Sequence, residues 1–425
     1  MTPSSDSPDA PRADAVRVPG DKSIAHRVLM LAALARGRSR LHNVPTGLDV
    51  LSTQRVLRAL GISIAADGDA LVVEGRAGTF LAPAGPIDCG NSGTTIRLMS
   101  GLLATRPLTV TLDGDASLRR RPMRRVADPL AAFGARLTLS PGGTAPLTIA
   151  GNGSAAAVEL VVAVPSAQVK SAMLLAGLGA RGRTRLRGEL ATRDHTERLL
   201  RAFGVRCEYE GEALVVDGPA ALHPIDFTVP GDISSAAFLL AAAAAVPGAQ
   251  VAIDDVGLNP TRTAFLEVLR RFGAEVSVTQ TDAGAEPRGR IVVRGAPLHA
   301  IAIDPWEVPG LIDELPLIGV LGAFADGTTR VRGAAELRIK ESDRIETFAA
   351  AARALGVEVT TAPDGFSVRG PARLHAGTIE TAGDHRIAMA FAVAGRAAGV
   401  PVALDDPDCV AVSFPGFASA LEAVA

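Results

Sequence analysis

Aromatic side chains are scarce in this chain: Phe, Tyr and Trp make up 4% of 425 residues, with one Trp and one Tyr. Stacking platforms for nucleic-acid bases are therefore not expected. Cysteine is scarcer still. Cys89, Cys207 and Cys409 lie far apart, forming neither a metal-ligand pair nor a disulfide framework. That suits a reducing, cytoplasmic setting. An excess of either charge is also missing. Lys plus Arg number 43 and Asp plus Glu 45, for a net charge of −2. A protein that coats nucleic acid would be strongly basic, so nucleic acid is not an expected partner. Long apolar runs are absent. The longest, Ala236 to Val246, falls short of the roughly 20 residues needed to span a bilayer, so no membrane association is expected. Residues 1–15 have no apolar core and carry three aspartates, which predicts a flexible tail rather than a signal peptide. No nucleotide-binding glycine loop, zinc-ligand spacing or G-x-S-x-G elbow occurs. Chemistry in this chain must then rest on Lys, Arg, Asp, Glu and helix dipoles, with no metal and no organic cofactor.

What is present is a repeat. An amphipathic helix ending in Gly and followed by two short strands recurs at 55–75, 125–151, 195–218, 263–295 and 344–370. The helix-ending glycines are Gly61, Gly134, Gly204, Gly273 and Gly356, where a positive φ is expected. Alternating with this is an Ala- and Leu-rich helix opened by a polar turn and followed by a strand, at 20–44, 90–112, 165–188, 231–253, 313–333 and 383–404. These helices are apolar nearly all round and should be buried. Each unit reads helix, strand, helix, strand, strand, so the class is α/β with mixed sheets. Six units divide into three and three. Val18-Pro19-Gly20-Asp21 returns as Val229-Pro230-Gly231-Asp232, each before a buried helix, and marks two chain crossings. One domain is expected at 21–230. The other is expected at 16–20 plus 231–425, with hinges near 18–21 and 229–232.

The buried helices begin with unusual polarity. Asp21-Lys22-Ser23 is followed by Arg27, and Gly90-Asn91-Ser92-Gly93-Thr94-Thr95 by Arg97. Ser166-Ala167-Gln168 precedes Lys170, while Asp313-Glu314 and Gly383-Asp384-His385-Arg386 open two more. Helix N-termini favour anions, and such starts on several helices suggest one anionic ligand region. Five arginines in 119–125, and the mixed acid and base of Glu336 to Arg344, point the same way. Cationic starts in both halves predict mutual repulsion that holds the halves apart without ligand.

Taken together and in order over 16–425, these runs resemble the 5-enolpyruvylshikimate-3-phosphate (EPSP) synthase, or 3-phosphoshikimate 1-carboxyvinyltransferase, family. The matching runs also include Arg121-Pro122-Met123, Ser166 to Ser171, Thr192 to Glu197, Pro260-Thr261-Arg262 and Lys340 to Arg344. The resemblance implies two domains, each of three βαβαββ units, with the active site in the interdomain cleft. It implies transfer of the carboxyvinyl group of phosphoenolpyruvate to the 5-hydroxyl of shikimate 3-phosphate, releasing inorganic phosphate. The implied partners are those two small molecules, and the implied state is a monomer.

By resemblance, Lys22, Ser23, Arg27, Ser166, Ala167, Gln168, Arg193, Asp313 and Lys340 would hold shikimate 3-phosphate. Lys22, Gly93, Arg121, Gln168, Arg344 and Arg386 would hold phosphoenolpyruvate. Asp313 would accept the hydroxyl proton. Glu341 would give a proton to the methylene carbon, with Lys22 or His385 as alternatives. Two departures stand out: Val412 occupies a place where many members carry lysine, and Ala167 replaces a second serine. Two rivals remain. UDP-N-acetylglucosamine 1-carboxyvinyltransferases share this fold and chemistry but have a cysteine shortly before the Arg-Pro pair, and Asp113 to Pro122 contains none. A non-catalytic polyanion-binding module is opposed by the net charge and the lack of aromatics.

Overall fold

The computed structural model describes residues 15–424. The expected tail at 1–15 thus lies almost wholly outside the described residues. The six Ala- and Leu-rich segments are helices, denoted here α1 (Lys22–Leu34), α2 (Gly93–Ala104), α3 (Ala167–Gly177), α4 (Ile233–Ala244), α5 (Leu315–Phe324) and α6 (His385–Ala398). All 12 residues of α4 are buried, as the absence of a polar face requires. The five amphipathic helices lie outside them, and their apolar stripes face inward.

Apolar side chains fall into two clusters. One runs from Ile24 to Val229, and the other holds Val18 and residues from Ile233 to Val424. Each is built from three units, giving a two-domain α/β fold. In a complete unit a short strand pairs parallel with the strand after the inner helix. The hairpin that follows the outer helix then adds two antiparallel strands. That leading strand was not visible in the sequence. It is only two residues long at Ile87–Asp88 and Ala302–Ile303, too short to show alternation.

The first unit of each cluster takes its leading segment from a distant part of the chain. Asp226–Thr228 pairs parallel with Arg36–His42, and Val16 bridges parallel to Ile253. The last unit keeps only the pair Gly377–Ile379 and Val402–Leu404 before the chain ends in the helix Phe417–Glu422.

The recurring helix-end glycines all have positive φ: 85° at Gly61, 81° at Gly134, 83° at Gly204, 112° at Gly273 and 87° at Gly356. The repeated Val-Pro-Gly-Asp segments lie side by side. Gly20 bridges Gly231, the Asp21 amide donates to the Pro230 carbonyl at 2.8 Å, and the Asp232 amide donates to the Pro19 carbonyl at 2.8 Å. Among the described residues no helix is long and apolar enough to cross a membrane.

Candidate active site

Five of the six inner helices, all but α4, present their N-terminal segments to one cavity of about 290 Å³ between the two clusters. Five of the six starts are capped by side chains. Asp21 accepts from the Ser23 and Ile24 amides, Ser92 from Thr95, Ser166 from Val169, Asp232 from Ser234 and Asp384 from Arg386. The polar starts therefore do two jobs. In α1, α2, α3 and α6 the cap residue holds the helix end, and the next two residues line the cavity.

Every residue expected to bind or react lines this cavity: Lys22, Ser23, Arg27, Gly93, Arg121, Ser166, Ala167, Gln168, Arg193, Asp313, Lys340, Glu341, Arg344 and Arg386. His385 and Val412 line it too. Nine Lys and Arg side chains face four carboxylates, Asp49, Asp313, Glu336 and Glu341.

The cations are positioned by fixed partners. Lys22 Nζ contacts Asp49 at 3.0 Å. Arg27 donates to Thr196 Oγ1, Ser171 Oγ and the Ser23 carbonyl, so much of its guanidinium is already spoken for. Arg97 donates to Gln168 Oε1 at 2.7 Å, and Gln168 Nε2 donates to Thr94 Oγ1 at 2.9 Å, which fixes the amide. Arg344 Nε donates to Asp384 at 2.8 Å, and Arg386 Nη1 to the Asp313 carbonyl at 2.9 Å. Some donors remain unmade: Arg97 Nε, Arg121 Nε and Arg344 Nη1 are buried without a hydrogen-bond partner. Buried unpaired donors are costly, so an anion that met them would be bound strongly.

Opposite charges meet across the cavity. Arg193 pairs with Asp313, Arg121 Nη1 lies 3.4 Å from Glu341, and Arg125 Nη1 lies 3.1 Å from Glu336. The expectation of bare like-charge repulsion between the halves is corrected here. Each of these first-cluster arginines finds a second-cluster carboxylate.

Burial alone would raise the Asp313 carboxyl, but Arg386, Arg193, Lys340 and Arg344 hold it well below the usual carboxylate range. Burial likewise opposes ionisation of Glu341, and Arg344 and Arg121 overcome it, so this group is also a carboxylate. Burial, with Lys22 and Arg386 nearby, keeps His385 neutral by pushing it well below 6.5. Burial lowers the Lys340 ammonium to about 8 although Asp313 opposes that shift.

A family model of EPSP synthase (3-phosphoshikimate 1-carboxyvinyltransferase) matches residues 8–421. The chain belongs to the EPSP synthase family. It is 48% identical over 408 residues to a 3-phosphoshikimate 1-carboxyvinyltransferase of Halorhodospira halophila, covering 95% of this chain and 92% of the relative. It is 47% identical over 414 residues to one of Thermus thermophilus, covering 96% of each. Among solved structures, EPSP synthase of Acinetobacter baumannii superposes with a TM-score of 0.84 at 38% identity, covering 96% of this chain and 95% of that one. The enolpyruvyl transferase NikO of Streptomyces tendae shares the fold at 20% identity and a TM-score of 0.77, covering 96% of this chain and 94% of that one.

Several lining residues escaped the sequence reading of the site. Arg97 and Thr94 had a visible signal, the polar loop 90–95 opening α2. Arg125 lay within the arginine run, and Glu336 within the mixed segment. Asp49 gave none, because an Asp in the first turn of an outer helix reads simply as a dipole partner.

Proposed function

We propose that this EPSP synthase family member transfers the carboxyvinyl group of phosphoenolpyruvate to the 5-hydroxyl of shikimate 3-phosphate. The products are 5-enolpyruvylshikimate 3-phosphate and inorganic phosphate, a step of the shikimate pathway to chorismate and the aromatic amino acids. The observation that carries this reading is one cavity lined by nine cations, some with unmade buried donors, around an ionised Asp313. Two substrates bearing phosphates and carboxylates need such a site.

In this reading Ser23, Arg27, Ser166, Ala167, Gln168, Arg193 and Lys340 hold shikimate 3-phosphate. Gly93, Arg121, Arg344 and Arg386 hold phosphoenolpyruvate, with Lys22 and Gln168 between the two. Asp313, kept ionised by its cations, takes the proton of the 5-hydroxyl as the oxygen attacks. A proton is delivered to the methylene carbon, giving a tetrahedral ketal. Loss of a methyl proton and cleavage of the carbon–phosphate oxygen bond then release phosphate. Glu341 is the favoured proton donor. Arg344 and Arg121 keep it ionised, but the substrate's carboxylate and phosphate would offset these cations and raise it. Lys22, engaged with Asp49, and His385, kept neutral by burial, are the alternatives.

Residues 21–230 and 16–20 with 231–425 form the two units that close on substrate, turning at 18–21 and 229–232. In this reading the chain acts as a monomer. Three unpaired, buried cysteines support a cytoplasmic setting. The rival UDP-N-acetylglucosamine reading is disfavoured because no cysteine lines the cavity. Proton NMR of a reaction containing both substrates tests the proposal. A new enol-ether vinyl signal that grows as shikimate 3-phosphate is consumed is expected. Its absence with shikimate 3-phosphate, or its appearance with UDP-N-acetylglucosamine, would refute the reading.

A further inference from the structure

One of the five hairpins differs from the rest. Its strands, Glu275–Asp282 and Arg288–Arg294, have 8 and 7 residues, and its tip carries Glu286. The tip reaches across to the other apolar cluster. Glu286 Oε1 lies 2.8 Å from His195 Nδ1, and both side chains are 1% exposed. Asn259, also buried and from the same side as Glu286, donates to Glu286 Oε2 at 3.0 Å and to Asp194 Oδ1 at 2.8 Å. Thr261 Oγ1 adds a contact to Asp194 Oδ1 at 3.3 Å.

Asp194 and His195 directly follow Arg193. On its own side, the loop before Arg193 is fastened by Lys170. The Lys170 ammonium donates to the Leu190 carbonyl at 3.1 Å and the Thr192 carbonyl at 3.2 Å, and pairs with Glu197 at 2.7 Å. The Arg193 loop is thus gripped by Lys170 from one half and by Asn259 and Glu286 from the other. Only the second grip depends on the halves being together.

We propose that Asn259 and Glu286 are positioning residues for shikimate 3-phosphate, acting through Asp194 and His195 to aim Arg193 into the cavity when the two halves close. None of the four touches the cavity, so the effect on ligand is indirect. The proposal rests on the reading that Arg193 meets shikimate 3-phosphate. It predicts a selective effect, because the cations assigned to phosphoenolpyruvate, Arg121, Arg344 and Arg386, have no contact with this clasp.

The test is steady-state kinetics on Asn259→Ala, Glu286→Ala and Glu286→Gln, with thermal melting of each. Asn259→Ala leaves the His195–Glu286 contact in place and should remain folded. Expected is a KM for shikimate 3-phosphate raised at least about fivefold in both alanine variants, with the KM for phosphoenolpyruvate within about twofold of the parent. Glu286→Gln, which keeps one oxygen to accept from Asn259 and puts an NH2 donor in place of the oxygen facing His195, should recover most of the loss. A role in stability alone would lower the melting temperature and the active fraction without separating the two KM values, and that result would overturn the clasp. A parent enzyme that makes no product from the two substrates would overturn the underlying functional reading as well. An active parent with unchanged KM for shikimate 3-phosphate in both alanine variants would overturn the clasp alone.

Discussion

Asp313 sits where several cations converge, so its replacement removes charge from the site while keeping its shape. Asp313→Asn should retain the fold and bind shikimate 3-phosphate, but lose at least about a hundredfold in turnover, the low end for removal of a general base. Turnover within threefold of the parent would contradict the assignment. Lys340 gives a pH test with a definite sign. Burial favours its neutral amine, so it is charged below about 8 and loses that charge as pH rises through this value. The kcat/KM for shikimate 3-phosphate, which reports the free enzyme, should fall on the alkaline side near that pH. Lys340→Arg should not show the fall, because the guanidinium keeps its proton to about pH 12. A parent profile flat to pH 10 would contradict it. Gly93 adds a steric test. It is absent from the positive-φ glycines, whereas Gly90 has φ 59°, so backbone strain is not what demands glycine at 93. A Cβ there would lie 3.0 Å from Arg121 Nη1 and from Arg97 Nη1. Overpacking typically costs about 1–3 kcal/mol, and about 1.4 kcal/mol is tenfold in affinity. Glyphosate resembles phosphoenolpyruvate but is longer and more extended, so Gly93→Ala should raise its inhibition constant about tenfold or more, and the KM of compact phosphoenolpyruvate less. Equal losses for both ligands would contradict this reading.

At the scale of elements, the inner helices were legible because apolar residues all round leave burial as the only stable solution. The outer helices were legible from their stripe and the glycine that ends each one. The leading strands were not, being too short to carry a period. Nor was the double use of the helix starts, since a cap and a ligand-binding residue look alike until the backbone amide's partner is known. Asp21 and Ser166 show the difference: Asp21 is spent on the α1 cap, whereas Ser166 both caps α3 and lines the cavity. The cavity's precision depends on close packing behind it. A Cβ at Gly101, inside α2, would come within 2.1 Å of the Ala172 carbonyl oxygen in α3. Gly101→Ala must push these helices apart, and both carry cavity residues at their N-termini. It should destabilise by about 1–3 kcal/mol and lower kcat/KM for both substrates. Denaturant unfolding beside kinetics checks this, and unchanged stability would contradict the packing argument.

At the scale of the whole molecule, the six-unit organisation was legible from the repeat, and Val-Pro-Gly-Asp recurs at the two segments that lie side by side. The balance of charge across the cleft was not. The sequence shows cationic helix starts in both halves, but only folding brings Arg193 to Asp313 and Arg125 to Glu336. These pairs offset part of the repulsion. An excess of cations remains, and a dianion shared by both halves should still favour the closed arrangement. In the proposed reaction this one cavity joins two anionic substrates and expels phosphate. Phosphate release by the purified chain tests that most directly, with each substrate alone and with both. Release is expected only when shikimate 3-phosphate and phosphoenolpyruvate are present together, one phosphate per shikimate 3-phosphate consumed. Release from phosphoenolpyruvate alone, or none with both at saturation, would contradict it.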